Sequence, residues 1–377
     1  MQSKVEISDE KAFEDYFDSI ESAIEDIANG KMIVVVDDED RENEGDLLMA
    51  AHFVTPDAIN FMIKYGKGLV CLPLSEQYLQ KFQLNNMVPD NQDPLKTAFT
   101  VSIDASTKHG VTTGISAADR AKTIQVILDP NSSADDIQAP GHIFPLRSRE
   151  MGVLRRAGHT EAAVDLARLA GSVPAGVICE IINDDGSMAR GLELVAFAKT
   201  HNLKLISIQD LIQYRVQKER FVKAQSRQDI QTPYGQFELI TYEDTLNNQT
   251  HYALVKGKIQ AETATWVRVH AASPLHDLFG AGLDKSEDSF IYQTMKRLQD
   301  VDAGVLLYMT QNPEYHESES SCMIREYGVG AQILLDLGVR KMHLITNRDS
   351  KVVGLSGFGL EIIDRIPLGK SPKETQS

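Results

Sequence analysis

Residues 32–46 read Met-Ile-Val-Val-Val-Asp-Asp-Glu-Asp-Arg-Glu-Asn-Glu-Gly-Asp. The apolar, β-branched run Ile33–Val36 is typical of a buried strand. The next ten residues, Asp37–Asp46, contain seven acids and one arginine. Crowded carboxylates repel one another unless a positive charge lies among them, and a divalent cation with oxygen ligands supplies one. A solvated acidic loop is the alternative, but the position directly after a core strand favours a binding site.

The length and composition indicate a globular protein of about two domains, because 377 residues exceed what one core usually supports. The net charge of −16 argues against nonspecific binding to nucleic acid or to anionic membranes. No apolar stretch approaches the ~20 residues of a membrane span, and the N-terminus does not resemble a signal peptide. The 3 cysteines are too far apart for a disulfide framework or a zinc set. We therefore expect a cytoplasmic protein without nucleic-acid or membrane partners.

Apolar runs alternate with amphipathic segments through residue 208, which predicts an α/β domain. Predicted helices cover 9–29, 56–64, 116–128, 160–171 and 187–201. Predicted strands cover 33–36, 68–74, 99–103, 176–182 and 204–208, and residues 47–51 form a short apolar segment. Segments 85–96 and 129–140 are predicted loops, and segment 104–114 is polar and rich in threonine. Charged and glutamine-rich residues 213–231 predict a linking helix or connector, and strands are predicted at 236–242, 251–256 and 265–270. We expect a first domain at 1–215, a linker at 216–230 and a second domain at 231–377.

A candidate phosphate site lies at the start of the predicted helix that Thr160 would cap. Helix N-termini present unpaired N–H groups and a partial positive charge, so an anion fits there. Arg156 and the Thr160 hydroxyl would add donors to this site. An ordinary capped helix with surface arginines is the alternative.

Three further side chains are candidates for proton transfer or for lining a site. Glu180 lies in the apolar run Val177–Ile182, where an acid must be paired, protonated or catalytic unless it reaches the exposed end of the strand. His142 lies between predicted loops, and Cys71 lies in a predicted core strand. Together with the acidic loop and the phosphate site, these groups suit metal-assisted chemistry on a phosphorylated polyol.

Four motifs bear a family resemblance: Asp38–Asp46, Val111–Arg120, Gly141–Leu146 and Arg156–Glu161. In order and spacing they closely resemble 3,4-dihydroxy-2-butanone 4-phosphate synthase of riboflavin biosynthesis, over residues 12–212. The resemblance implies conversion of ribulose 5-phosphate to 3,4-dihydroxy-2-butanone 4-phosphate and formate. The implied steps are enolisation, dehydration, skeletal rearrangement and loss of C4. The implied cofactor is Mg²⁺, with Mn²⁺ as a substitute, and the implied assembly is a homodimer with the active site close to the interface.

The resemblance also implies roles for individual residues. Glu42 and His159 would bind the metal, and His142 and Glu180 would be the two essential catalytic residues. The implied substrate contacts are Arg41, Glu42, Asp46, Arg156, Ala157, Gly158, His159, Thr160 and Glu180. Glu44, Cys71 and Thr112 are further candidates for lining the site.

The second half resembles GTP cyclohydrolase II, which implies an α+β domain, but it departs from that family where catalysis would lie. The three zinc-binding cysteines of the family are replaced by Ser273, Asp284 and Ser286, which do not form a credible tetrahedral zinc set. Gln311–Glu314 departs from the family's Gln-Glu-Gly-Arg segment, a stretch of about 25 residues is missing by comparison with that family, and Met323 replaces an acid two residues before Arg325. We therefore expect no zinc and no cyclohydrolase activity in this domain.

Two other interpretations remain open at the level of sequence. In the first, the chain is a bifunctional enzyme that keeps GTP cyclohydrolase II activity through another metal set, for which His270, His276 and His316 are the nearby candidates. In the second, the chain is an acidic metal-binding or scaffold protein without catalysis. Formate release from ribulose 5-phosphate and consumption of GTP distinguish the three interpretations.

Overall fold

The structure is a computed structural model that describes residues 13–38, 41–246, 248–279, 289–310, 319–347 and 358–368. The chain divides into two compact units, the first ending at Tyr214 and the second beginning at Arg215. Each unit is built on its own mixed seven-stranded sheet with helices, so the predicted two-domain α/β organisation is confirmed.

The sheet of the first unit has the strand order β4-β5-β3-β6-β2-β1-β7. Its strands are β1 (Ile33–Val36), β2 (Gly45–Ala50), β3 (Cys71–Leu74), β4 (Ile103–Ala105), β5 (Ile137–Arg147), β6 (Gly176–Glu180) and β7 (Lys204–Ser207). The pairs β3–β5 and β1–β7 are parallel, and the other pairs are antiparallel. Strands β1 and β2 therefore form a hairpin whose connection carries the acidic loop.

Seven α-helices begin in the described part of the first unit: α1 (Ile20–Ala28), α2 (Pro56–Phe61), α3 (Glu76–Lys81), α4 (Ala117–Leu128), α5 (His159–Leu169), α6 (Leu192–His201) and α7 (Ile208–Lys218). Side chains of Ser19, Thr55 and Ser116 accept amide hydrogen bonds at the starts of α1, α2 and α4. These caps satisfy donors that the first turn of a helix leaves open.

Alternate residues of the central strands face two different layers. Val34, Leu47 and Cys179 belong to the main core cluster, which also contains apolar residues of α2, α4 and α6. On the other face, α5 contacts β2, β3 and β6. The side chains of Val35, Asp46 and Glu180 belong to this second layer, and the start of α5 is close to them.

The sheet of the second unit has the order β14-β13-β11-β12-β10-β9-β8. Its strands are β8 (Val222–Thr232), β9 (Gly235–Asp244), β10 (Gln249–Lys256), β11 (Ala264–Ala271), β12 (Gly304–Met309), β13 (Lys341–Ile345) and β14 (Glu361–Ile366), and its helices are α8 (Pro274–Asp277), α9 (Phe290–Leu298) and α10 (Glu319–Asp336). Strands β11 to β14 pair in parallel, whereas β8, β9, β10 and β12 pair in antiparallel fashion.

Several predicted element boundaries were wrong. The described part of the first predicted helix is a 3-10 turn, Phe13–Tyr16, followed separately by α1. The predicted strand 99–103 is replaced by β4, which overlaps it only at Ile103, and the predicted loop 129–140 contains the start of β5. The predicted helix 187–201 begins only at Leu192. The segment 216–230, expected as a linker, consists mainly of the end of α7 and most of β8.

Membrane insertion through a helix has no support in the described ranges, where every helix is too short or too polar to cross a bilayer.

Candidate active site

Neighbouring strands of the first sheet place Val35, Asp46 and Glu180 in one row. Val35 pairs with Asp46 between β1 and β2, and Asp46 pairs with Glu180 between β2 and β6. Directly paired residues project from the same face of a sheet, so the two carboxylates are close neighbours. Asp46 is buried, Glu180 is half-buried, and the Glu180 Oε2 atom accepts the Leu69 N–H at 2.8 Å. The sequence expectation that an acid in this strand needs a partner is met by that hydrogen bond.

The acidic loop is organised around Asp37. The Asp37 carboxylate accepts the N–H groups of Glu42 and Glu44 at 3.2 and 2.9 Å. Arg41 Nη1 donates to Asp37 Oδ2 at 2.6 Å and to Glu42 Oε2 at 2.7 Å. Among the described residues, Asp37 therefore fixes the loop backbone, whereas Arg41 neutralises two of its acids. Glu39 and Asp40 lie outside the described residues.

His159 begins α5 and faces the acidic loop. Its Nε2–H donates to the carbonyl oxygen of Val35 at 3.1 Å. Its Nδ1 atom lies 3.7 Å from Glu42 Oε2 and 4.0 Å from Asp46 Oδ2. A backbone carbonyl that holds one ring nitrogen fixes the tautomer and leaves the other nitrogen for a ligand. The Nδ1 atom is thus the ring atom placed among the carboxylates.

The pKa values of the three neighbouring groups diverge because they are buried together. Burial raises the pKa of Asp46 to about 7, against the opposing positive charge of His159. Burial alone would lower the pKa of His159, but Asp46 and Glu42 outweigh it and raise the pKa to about 9. Burial alone would raise the pKa of Glu42, but His159 and Arg41 lower it to about 2. Without a bound cation, the His159 proton provides much of the positive charge in this cluster.

This cluster fits a hard divalent cation. Ligand atoms of Asp37, Glu42 and His159 all lie within 4.8 Å of one another. Carboxylate oxygens suit Mg²⁺ and Mn²⁺, and an imidazole held through its other nitrogen is a competent additional ligand. Both predicted metal ligands, Glu42 and His159, belong to this cluster. Asp37 was not predicted, because nothing in the sequence separates it from the other acids of the loop.

His142 lies on β5 and forms a dyad with Asp104 of β4. His142 Nδ1 lies 2.7 Å from Asp104 Oδ2, and the His142 N–H donates to Asp104 Oδ1 at 2.9 Å. The imidazole remains 40% exposed, whereas the carboxylate is only 5% exposed. Gly114, at a φ of +86°, packs so closely that a Cβ there would lie 2.1 Å from Asp104 Oδ2. The dyad therefore fixes one ring nitrogen and leaves the other side of the ring accessible.

The three further lining candidates occupy different environments. Burial raises the pKa of the free Cys71 thiol, which lies on β3 opposite Ile178 of β6. Burial also raises the pKa of Glu44, and Arg190 Nη2 lies 3.6 Å from its Oε1 atom. The Thr112 hydroxyl donates to Asp119 at 2.8 Å, in the loop before α4. The Thr112 side chain thus supports that loop rather than a strand of the sheet.

At the predicted phosphate site, the N-cap of helix α5 lies two residues earlier than the sequence predicts. The N-cap residue is Gly158, without a side-chain cap, so the prediction that Thr160 caps the helix was wrong. Gly158 has the extended backbone that a cap requires, and Thr160 lies in the first turn, buried. Arg156 contacts Glu161 through Nη1 at 2.7 Å, and Ala157 connects it to Gly158. Glu161, like Asp104, was not singled out in the sequence.

Of the three residues that replace the family's zinc-binding cysteines, the structure describes only Ser273. The Ser273 N–H donates to Asp277 Oδ2 at 2.8 Å, and His270 Nε2 lies 2.9 Å from Asp277 Oδ1. Asp284, Ser286, Gln311–Glu314 and His316 lie outside the described residues. The backbone of Met323 and Arg325 belongs to α10. Within the described ranges, the only group of metal-ligating side chains is the one in the first unit.

Family models match both units of the chain. The model for 3,4-dihydroxy-2-butanone 4-phosphate synthase matches residues 21–214. The model for GTP cyclohydrolase II matches residues 223–321 and 314–367. The two matches meet close to the division between the compact units.

Two curated relatives resemble the chain over nearly its whole length. Riboflavin biosynthesis protein RibBA of Aquifex aeolicus is 47% identical, over 94% of this chain and 93% of its own. The Bacillus cereus protein of the same name is 45% identical, over 95% of each chain.

Among solved structures, RibBX from A. baumannii, described as a two domain 3,4-dihydroxy-2-butanone 4-phosphate synthase, has a TM-score of 0.76 and 43% identity, covering 93% of this chain and 99% of that one. A 3,4-dihydroxy-2-butanone 4-phosphate synthase in complex with two magnesium ions has a TM-score of 0.52 and 43% identity, covering 54% of this chain and 98% of that one. The chain therefore belongs to the 3,4-dihydroxy-2-butanone 4-phosphate synthase family, lyases of riboflavin biosynthesis, and carries a GTP cyclohydrolase II-like second unit.

Proposed function

We propose that the first unit converts ribulose 5-phosphate to 3,4-dihydroxy-2-butanone 4-phosphate and formate. The observation that carries the proposal is the convergence of Glu42, Asp46 and Glu180 with His159 at one end of the sheet. A five-carbon ketose phosphate yields a four-carbon ketone phosphate and formate without any oxidant, so acid–base groups and electrostatic stabilisation suffice. This site supplies both.

Glu42 and His159 would hold Mg²⁺, for which Mn²⁺ would substitute, and Asp37 lies close enough to take part. When bound, the cation would stabilise negative charge on adjacent substrate oxygens. The protein's own contribution is to hold the ligands in place, because Val35 fixes the His159 ring and Arg41 contacts Glu42. The protein crystallised with two magnesium ions supports this assignment by family relationship.

His142 and Glu180 would transfer protons. His142 suits the role because Asp104 orients its ring while the ring remains accessible. Glu180 suits it because one carboxylate oxygen is held by the Leu69 N–H and the side chain is only half-buried. Enolisation and dehydration each remove and return a proton, which is the work of positioned acid–base groups.

The phosphate of the substrate would bind at the start of α5, across Arg156, Ala157, Gly158, His159 and Thr160. The open amides of the first turn favour an anion there. Arg41 and Asp46 would contact the polyol, because both lie beside the proposed metal ligands. The substrate would thus extend from the helix start to the acidic loop.

The test is an assay of the purified chain with ribulose 5-phosphate and Mg²⁺. We expect formate and the butanone phosphate in equal amounts, and loss of activity with EDTA that added Mg²⁺ restores. Absence of formate with Mg²⁺ present, or turnover unaffected by EDTA, would contradict the proposal.

For the second unit, we propose that it has lost GTP cyclohydrolase II activity. Ser273, Asp284 and Ser286 replace three thiolates, and hydroxyls are poor zinc ligands. The A. baumannii protein, which matches both units, is described as a synthase alone. A bifunctional enzyme is the competing proposal, supported by the RibBA names of the other relatives, and GTP-dependent formate release would establish it.

We also propose that the first unit forms a homodimer with its active site close to the interface, as the family resemblance implies. Light scattering of residues 1–215 at micromolar concentration should give twice the monomer mass. A monomeric mass would contradict the dimer.

A further inference from the structure

Glu161 is an acid whose burial requires an explanation. Its side chain lies in the first turn of α5 and is only 1% exposed. One carboxylate oxygen, Oε1, accepts the Arg149 N–H at 3.0 Å, and the other, Oε2, accepts Arg156 Nη1 at 2.7 Å. A buried carboxylate is costly unless its oxygens are paired in this way. The pairing fixes the direction of the Arg156 guanidinium.

Arg156 is held on its other edge by the segment that precedes β4. Its Nε and Nη2 atoms donate to the Leu95 carbonyl oxygen at 3.3 and 3.1 Å. Nη2 also donates to Thr97 Oγ1 at 3.2 Å. A guanidinium has five N–H donors. The contacts with Glu161, Leu95 and Thr97 account for four of them, which leaves one Nη1–H for another acceptor.

The segment that contacts Arg156 is itself organised by hydrogen bonds. The Asp93 carboxylate accepts the Thr97 N–H at 2.7 Å, and Asn91 Nδ2 donates to the Thr97 carbonyl oxygen at 2.9 Å. Lys96 Nζ donates to the Asn91 carbonyl oxygen at 2.8 Å. Arg156 therefore lies between a structured loop and a buried acid, with little freedom to move.

Gly158 allows this arginine to lie against the start of the helix. A Cβ atom at Gly158 would lie 2.4 Å from Arg156 Nη1 and 3.1 Å from Glu161 Oε2. The Gly158 backbone has a φ of −125°, which any residue adopts. The glycine is thus explained by the guanidinium next to it, not by its backbone conformation.

We propose that Glu161 is a positioning residue for phosphate recognition: it holds Arg156 Nη1 against Gly158, so that the remaining Nη1–H and the first amides of α5 bind the phosphate together. The inference rests on the proposed function, because it assigns the phosphate end of that substrate. It extends that proposal by making recognition depend on a side chain that does not touch the ligand.

The first test replaces Glu161 by glutamine in the full chain. Glu161→Gln removes the charge that orients Arg156, so KM for ribulose 5-phosphate and the inhibition constant of inorganic phosphate should rise by about 10- to 100-fold. The value of kcat should change much less, because the phosphate group is unchanged by the reaction and its contacts are made equally in the bound substrate and in the transition state. Glu21→Gln, an exposed acid in the first turn of α1, is the matched control and should behave as the unsubstituted protein.

The second test covers the case in which Glu161→Gln does not fold, since breaking a buried ion pair is destabilising. Gly158→Ala displaces Arg156 Nη1 while both charged side chains stay in the chain, and it introduces no backbone strain. We expect the same increase in KM and in the phosphate inhibition constant, with a melting temperature close to that of the unsubstituted protein. Values of both constants equal to those of the unsubstituted protein, in a folded Gly158→Ala variant, would overturn the inference.

Failure of the proposed function is distinguishable from failure of this inference. Calorimetric titration with inorganic phosphate measures the anion site even if the unsubstituted protein releases no formate. Weaker phosphate binding in Gly158→Ala than in the unsubstituted protein supports the role of Arg156 in either case. Equal phosphate binding in the two proteins overturns it in either case.

Discussion

Asp46 and Glu180 lie directly opposite each other on the antiparallel strands β2 and β6, so two carboxylates share one end of the sheet. Like charges placed opposite each other oppose folding, and burial adds to that cost. His159 provides a compensating positive charge 4.0 Å from Asp46. The arrangement suits a site that binds a divalent cation beside a polyol. The charge of the cation would complete the neutralisation of the carboxylates.

The first prediction concerns the metal ligands. Mg²⁺ should raise the melting temperature of the unsubstituted protein, because a ligand that binds only the folded state stabilises it by about 2.7 kcal/mol at 100 times its Kd. Glu42→Gln and His159→Ala should fold but lose both this stabilisation and metal-dependent turnover. Differential scanning calorimetry with and without Mg²⁺ measures the effect, with Glu21→Gln as control. Equal stabilisation of both site variants by Mg²⁺ would exclude them as ligands.

The second prediction concerns the His142–Asp104 dyad. His142→Ala should lower kcat by at least ~100-fold with substrate binding retained, the usual scale for a general acid–base group. Asp104→Asn should lower kcat by about tenfold, because the ring loses the partner that orients it. His109, which lies 2.7 Å from Asp136 in a similar pair, provides the control, and His109→Ala should leave kcat unchanged. Steady-state assays of formate release measure kcat for the three variants. A normal kcat for His142→Ala would exclude His142 from the mechanism.

The third prediction is a pH dependence of stability in the second unit. Burial, together with the hydrogen bond to Asp336 at 2.9 Å, raises the pKa of Tyr242 above its usual range. Below a pH of about 10 the phenol is neutral in both states and its contribution is complete. Above that pH the unfolded phenol ionises first, so the stability is lost as the pH rises towards the folded pKa. Tyr242→Phe should cost about 1 kcal/mol at pH 8.

The same variant should show a smaller decline in stability between pH 9 and 11 than the unsubstituted protein. The single tryptophan, Trp266, lies on β11 and reports unfolding of this unit by fluorescence. Parallel curves of unfolding free energy against pH for the two proteins would show that Tyr242 does not titrate differently on folding.

The fourth prediction is that the second unit carries no stoichiometric zinc and does not consume GTP. Without a metal held by thiolates, no activated water is available to attack a purine. Elemental analysis of the full chain should find no stoichiometric zinc, and a chain ending at Tyr214 should retain the synthase activity. One zinc per chain, or formate released from GTP, would instead support the bifunctional interpretation.

Parts of the site were predictable from sequence where chemically distinctive residues directly follow a recognisable strand. Ile33–Val36 is short, apolar and followed by acids, so the strand and the loop after it were both expected, and Glu42 lies where the family motif puts it. Asp37 was missed because its role depends on accepting the N–H groups of Glu42 and Glu44, which only the folded loop brings to it. Asp104 was missed for a similar reason, since β4 and β5 bring it to His142 from 38 residues away.

Errors in the predicted elements have equally local causes. Thr160 is a residue type that often caps helices, but Gly158 occupies the cap position, where a Cβ atom would lie 2.4 Å from Arg156 Nη1. Residues 222–231 belong to the segment 213–231, which was predicted to be a linking helix or connector because it is rich in charged residues and glutamine. They form an edge strand, β8, which pairs on one side only and leaves those side chains exposed.

The most direct test of the central claim uses ribulose 5-phosphate labelled with ¹³C at C4. The proposed reaction removes C4, so NMR of the Mg²⁺-containing reaction should show labelled formate and an unlabelled butanone phosphate in equal amounts. His142→Ala should give neither product at a comparable rate. Formate without the label, or a butanone phosphate that retains it, would contradict the assignment of this chemistry to the chain.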